Sequence, residues 1–369
     1  MKLHLQKSFF SEKEKVLLED GQFQASVFQY ETGMEAIKLS NSRGYIIALP
    51  YYGQQIWDAV FDGRSVVMKT LFDRDAPKYK ELFLETYGCY LMHCGALRCG
   101  CPTPQDTHPL HGELPAAPYD SAAIVTGSDE NGNYIGITGV FEYNKAFGDK
   151  YEAHPLVKLY EDSALLHTSI EIRNMTGHEI DLMYILHVNN AGVDKGRILQ
   201  TSGWSPEDMA VRTYIPPHNV VPDGFREFMN KVAADPSLTK VMRTEDDYNP
   251  EICISMEHYV ADENGLAYTM QVLPDGTGDL VAFNLSQLPI SQRWLCTTRA
   301  DGQDKLGLAL PGTAGTEGYI AEKEKGHVQK IQPGKSWQTT VISGLLNKEE
   351  TAKMENKIAE INKKNGIAD

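Results

Sequence analysis

The stretch LLHTSIEIRNMTGHEIDLMYILHVNNAG, residues 165–192, carries the pattern that decides the fold. Leu165 to Ile172 alternates in the manner of a strand with one buried face, and Asn174 to Gly177 supplies turn residues. Ile180 to Val188 is a second β-prone run. Together they predict a β-hairpin whose second strand ends at His187, just ahead of Asn189-Asn190-Ala191-Gly192.

The same texture extends outward. Tyr134 to Phe141 follows an Asn131-Gly132-Asn133 turn, and Gly265 to Leu273, Leu280 to Leu285 and Lys305 to Leu310 are short runs bounded by Gly, Pro or Asp. Strands at this spacing without helical periodicity between them predict an all-β sandwich or barrel instead of βαβ units. Helices are expected at Asp223 to Ala234 and in the carboxyl-terminal segment from Asn347, where Leu346, Met354, Ile358 and Ile361 recur near helical spacing. Asn347 followed by Glu350 reads as its N-cap. With no repeat, low-complexity tract or linker, one β domain is expected over residues 1–369, with 347–369 a helical tail.

Composition narrows the function. Across 369 residues, 41% are hydrophobic and 23% charged, ordinary for a chain that buries a substantial core. The formal net charge of -15 works against nucleic acid, anionic membranes and polyphosphorylated ligands, and no basic patch offsets it. A neutral small molecule is the expected partner. The first residues lack the apolar run of a signal peptide, and no stretch approaches the ~20 apolar residues of a spanning helix, which predicts a cytoplasmic protein with six reduced cysteines.

Two constellations could carry chemistry. His108-Pro109-Leu110-His111-Gly112-Glu113 ends a loop stiffened by Pro102, Pro104, Pro109 and Pro115, the kind of loop that holds polar side chains in place, although histidines in a loop also simply face water. His187 sits at a strand end among apolar neighbours, beside Asn189, where a general acid or base is well placed and a satisfied core histidine equally so. Cys94, Cys99 and Cys101 lie near His93 and His108, but a single residue between Cys99 and Cys101 departs from zinc-site spacing, so no metal is expected. No phosphate-binding loop, dinucleotide fingerprint or nucleophile elbow is present, and no cofactor is expected.

In their order along the chain, these segments resemble the aldose 1-epimerase (galactose mutarotase-like) superfamily, most closely its divergent branch described only as a domain of unknown function. The resemblance rests on Pro50-Tyr51-Tyr52-Gly53-Gln54-Gln55-Ile56-Trp57-Asp58, on Leu110-His111-Gly112, on His187-Val188-Asn189, and on Gln287-Leu288-Pro289, Trp294 and Leu306 to Pro311, with Ile331 to Lys335 near the last strands. It spans about residues 30 to 345 and implies a large β-sandwich with a sugar cleft.

By that resemblance His187 is the acid that protonates the ring oxygen of a free sugar, while His111 holds and polarises it. Arg98, Asn189, Gln54, Asp58 and Trp294 become candidate sugar contacts. Two positions depart from the pattern. The family's glutamate falls in Gly307-Leu308-Ala309-Leu310-Pro311, where Ala309 takes no proton, so Glu317 becomes the candidate base, and Tyr52 stands where the branch usually has Arg. The expectation is a carbohydrate-binding isomerase acting at the anomeric carbon, with room for a homodimer. The alternatives are epimerisation or elimination in the same cleft, or a sugar-binding regulatory protein without catalysis.

Overall fold

Alternating one-sided burial along most strands forces two sheets to share a core, and two antiparallel sheets are what the computed structural model contains. It describes residues 1–70, 75–215, 219–243, 248–296 and 305–367. The nine-stranded sheet runs in the order Lys2–His4, Ser121–Asp129, Gly132–Asn144, Lys150–Tyr160, Leu165–Asn174, Ser336–Leu346, Gly278–Asn284, Leu266–Val272 and Arg197–Gln200. The thirteen-stranded sheet runs Ala210–Val211, Ile252–Met256, Ile290–Cys296, Lys305–Gly312, Ile180–Val188, Leu91–Ala96, Ile56–Phe61, Gly44–Ala48, Glu35–Ser40, Phe23–Gln29 and Lys15–Asp20, with Gln329–Ile331 and Arg64–Ser65 paired alongside. Of the sandwich or barrel that the turn-bounded strands predict, it is the sandwich, as the family resemblance implies.

The expected hairpin across residues 165–188 is corrected. Both strands exist, but Leu165–Asn174 pairs with Lys150–Tyr160 and Ser336–Leu346 in one sheet, while Ile180–Val188 pairs with Leu91–Ala96 in the other. The chain crosses between sheets where a tight turn was expected. Asn174 holds the crossing, donating to the carbonyls of His178 (2.7 Å) and Ile331 (2.9 Å). The physical reason lies in burial: the first strand alternates buried with half-buried positions, whereas the second is buried at nearly every residue and fits the middle of a covered sheet.

Trp57, Phe61, Tyr151, Phe283 and Val341 belong to one apolar cluster between the sheets. A second cluster, with Tyr268, Met270, Leu280 and Leu346, receives Ile358 and Ile361 from the helix Lys348–Lys364. That helix begins with a reciprocal cap: Asn347 accepts from the Glu349 and Glu350 amides, and Glu350 accepts from the Asn347 amide at 2.7 Å. The other expected helix runs Phe225–Ala234, starting after Gly224, whose φ of 81° no helix interior tolerates. Among the described residues no helix is long and apolar enough to cross a membrane.

Candidate functional site

Strand periodicity builds one wall of the site. Along Ile290–Cys296, Arg293 is fully buried and donates to Gln200 Oε1 on the opposing sheet at 2.6 Å, so Gln292 and Trp294 face away from the sandwich interior. Register places Cys253 opposite Trp294 and Leu310 opposite Gln292. With His187 these side chains line a cleft open to solvent.

Loops close the other side. Phe83, Leu84 and Tyr87 come from the segment ahead of Leu91–Ala96, and Leu110 and His111 from the proline-stiffened loop. His111 holds a left-handed φ of 59°; its amide donates to the Gly100 carbonyl and its own carbonyl accepts from Gly95, both at 2.9 Å. Gly112 follows at φ 82°, where a Cβ would stand 2.1 Å from the Arg98 carbonyl oxygen. The Leu-His-Gly loop therefore needs its glycine for close backbone approach as well as for φ.

The two histidines meet. Their ring centroids are 5.5 Å apart at an interplanar angle of 69°, with Trp294 5.6 Å from His187 and Phe83 5.6 Å from His111. Behind His187, Asn189 donates Nδ2 to the Cys89 carbonyl (3.1 Å), which turns its Oδ1 toward the Tyr87 hydroxyl (2.9 Å). Since Tyr87 spends its hydrogen on Asn189, its oxygen offers His187 Nδ1 a lone pair at 3.5 Å. A hydrogen on Nδ1 would suit that contact and leave Nε2 as the acceptor. Burial, reinforced by His111, pushes the His187 imidazole down to about 3 against a smaller opposing effect of Asn189, so it is neutral near pH 7.

His93 is the structural counterpart: fully buried in Leu91–Ala96, bonded through Nδ1 to the Tyr184 hydroxyl at 2.8 Å, and pushed by burial to about 3. Its folded pKa lies below the ordinary ~6.5, so below that pH the unfolded chain binds the extra proton. His93 therefore contributes fully above about pH 6.5, and its contribution is lost as pH falls toward 3. In urea titrations from about pH 7 to 4, a His93→Gln variant is expected to lose stability less steeply than the parent, by up to about 1.4 kcal/mol per pH unit. Parallel profiles would exclude this role for His93.

A carboxylate also lines the cleft, and it is Glu251. Its oxygens accept from Arg212 (2.5 Å), the Trp294 indole (2.5 Å) and Asn219 (3.1 Å). Burial pushes the Glu251 carboxyl up, but the Arg212 charge and these hydrogen bonds outweigh it and hold the group below its usual range. Arg212 lines the same cleft and gives Nη1 to Cys101 Sγ at 3.7 Å.

The other sequence-derived candidates are spread over the molecule. Trp294 lines the cleft and Asn189 stands behind it. Glu317 pairs with Lys325 and lines a neighbouring hollow. Arg98 stacks 3.6 Å over Tyr319 and pairs with Asp181 at 3.2 Å. Gln54 is buried against Gly139, and Asp58 accepts from the Ala59 amide on Ile56–Phe61. Ala309 is buried in the core while its neighbour Leu310 faces the cleft. Among the described residues no three His, Cys, Asp or Glu side chains gather as metal ligands, and the six cysteines are free thiols.

Glu251, Arg212, Tyr87 and Gln292 are among the lining residues that sequence reasoning passed over. Nothing local marks them: Glu251 follows Asn249-Pro250 as an ordinary strand entrance, and its partners lie 39 and 43 positions away.

No sequence-family model matches this chain, and no curated protein does. Solved structures do. A protein of Klebsiella pneumoniae subsp. pneumoniae, provisionally named an aldose 1-epimerase, superposes with a TM-score of 0.76 at 17% identity, covering 95% of this chain and 91% of its own. A galactose mutarotase-like protein of Clostridium acetobutylicum gives 0.60 at 12% identity, covering 89% of this chain and 100% of its own. Galactose 1-epimerase from Lactobacillus acidophilus NCFM gives 0.51 at 11%, covering 90% and 98% respectively. The chain has the β-sandwich fold of the aldose 1-epimerase and galactose mutarotase-like proteins, as the motif order implies.

Proposed function

We propose that the cleft binds a neutral free sugar and exchanges its anomers by acid–base catalysis. The observation that carries this reading is the meeting of His111 and His187 beside Trp294, 76 residues apart in sequence and 5.5 Å apart between rings. Interconversion needs a proton acceptor at the anomeric hydroxyl and a donor at the ring oxygen. Nε2 of neutral His187 takes the hydroxyl proton, and His111, entering as the imidazolium, gives its proton to the ring oxygen and recovers it on reclosure. The ring C–O bond opens to the aldehyde, and the reverse transfers reclose it after rotation. This inverts the acid role that the family resemblance assigns to His187, because its buried, neutral ring offers a lone pair. Trp294 offers an aromatic surface to the C–H face of the sugar. Arg212 and Glu251 cancel in charge, which favours an uncharged ligand.

Magnetisation-exchange NMR on a panel of neutral aldoses tests the proposal: faster exchange between α and β signals is expected. Altered sugars in place of exchanged anomers would replace it with epimerisation or elimination. Saturable binding without exchange would favour the non-catalytic reading, which the apolar Ala309 supports.

A further inference from the structure

We infer that the cleft is the inner half of a two-part site, and that its preferred substrate is a reducing disaccharide, with the hemiacetal ring at His187 and the second ring against Tyr214. The inference rests on the anomeric reading above and adds the substrate class. A second hollow, of about 410 Å³, adjoins the first, and Cys101, Arg212 and Thr316 line both. The two hollows flank Arg212, so a ligand seated in the inner cleft and reaching over Arg212 would meet the outer one.

The lining of the outer hollow suits a sugar ring. Tyr214 is 58% exposed, an aromatic face left in water at the margin of a cavity, and Pro102 and Pro104 add apolar surface. Thr103, Gln105 and Glu317 supply hydroxyl, amide and carboxylate groups around it. Aromatic faces with convergent polar groups are what a pyranose, apolar on its C–H faces and polar at its rim, can use. Arg212, the shared wall, is committed to Glu251, so the passage offers no uncompensated cation for a phosphate.

The wall is also preorganised. The Cys101 amide donates to the Thr316 carbonyl (2.8 Å), while Asp106 accepts from the Thr103 amide and hydroxyl (both 2.8 Å) and from the Ile320 amide (3.1 Å). Such a wall binds without an ordering cost.

The test compares anomer exchange of glucose and galactose with that of maltose, lactose and cellobiose, in the parent and in Tyr214→Ala. The disaccharides are expected to show about ten-fold higher kcat/KM, and Tyr214→Ala to remove that advantage while leaving the monosaccharides unchanged. Equal or better monosaccharide rates, or a Tyr214→Ala loss common to both classes, would overturn the outer subsite while leaving the anomeric reading standing. Should no sugar exchange, that reading fails, and saturation-transfer NMR of lactose and galactose decides the subsite alone. Tighter lactose binding that depends on Tyr214 supports it, and equal binding refutes it.

Discussion

Replacing His187 by alanine is expected to lower the rate of anomer exchange by about 100- to 10,000-fold, the contribution typical of a positioned acid–base group. The size of the effect follows from how the ring is held. Asn189 is oriented by the Cys89 carbonyl, Tyr87 by Asn189, and the imidazole by its contact with Tyr87, so the ring that lines the cleft is held in place before each turnover. Burial keeps the ring neutral, and its folded pKa of about 3 means that protonation of His187 removes no activity above about pH 4. A His187→Ala variant that exchanges anomers at the parental rate, with an unchanged urea midpoint at pH 7, would take His187 out of the mechanism.

The largest stability effect is expected at Arg212. Its side chain is 9% exposed and that of its partner Glu251 18%, so Arg212→Met strands a carboxylate that burial already disfavours. Removing one member of a buried pair costs about 3–5 kcal/mol, most of it the penalty on the charge left behind. The double variant Arg212→Met, Glu251→Gln should recover much of the loss, because no charge is left buried and the amide oxygen still accepts from the Trp294 indole, although Asn219, which binds the other Glu251 oxygen, loses its acceptor. Urea unfolding of the parent, the two single variants and the double variant measures the coupling. Additive single effects would mean that the pair contributes nothing as a pair.

Much of the architecture was legible because it is written locally. The turn signalled by Asn131-Gly132-Asn133 does join two paired strands, Gly265 and Lys305 do lie at strand boundaries, and the strand expected from Leu280 begins two residues earlier, at Gly278. The Asn347–Glu350 cap begins a helix where expected. The 165–188 segment misled because turn residues report that the chain bends, while hydrogen-bond partners decide whether the bend stays within one sheet. Both of its strands find their partners far away, at Ser336–Leu346 and at Leu91–Ala96.

The site divides along the same line. Leu110-His111-Gly112 and the strand end at His187 stand out in the sequence because their order matches the motif order of the family they resemble, each histidine alone having an ordinary reading. The carboxylate facing the same cleft did not, since one glutamate among many acids gains meaning only from what surrounds it. Glu317 and Glu251 are chemically identical; the fold pairs one with Lys325 near solvent and walls the other in with Arg212, Asn219 and Trp294.

By itself the chain's order of apolar, polar and turn residues determined that this protein is built of antiparallel β-strands, a sandwich or a barrel, because burial of a strand face and reversal at a glycine are short-range events. Tertiary structure alone decided which strand neighbours which, what surrounds His187 and which acid shares its cleft. Those depend on contacts between segments tens to hundreds of residues apart, whose free energies no local stretch encodes.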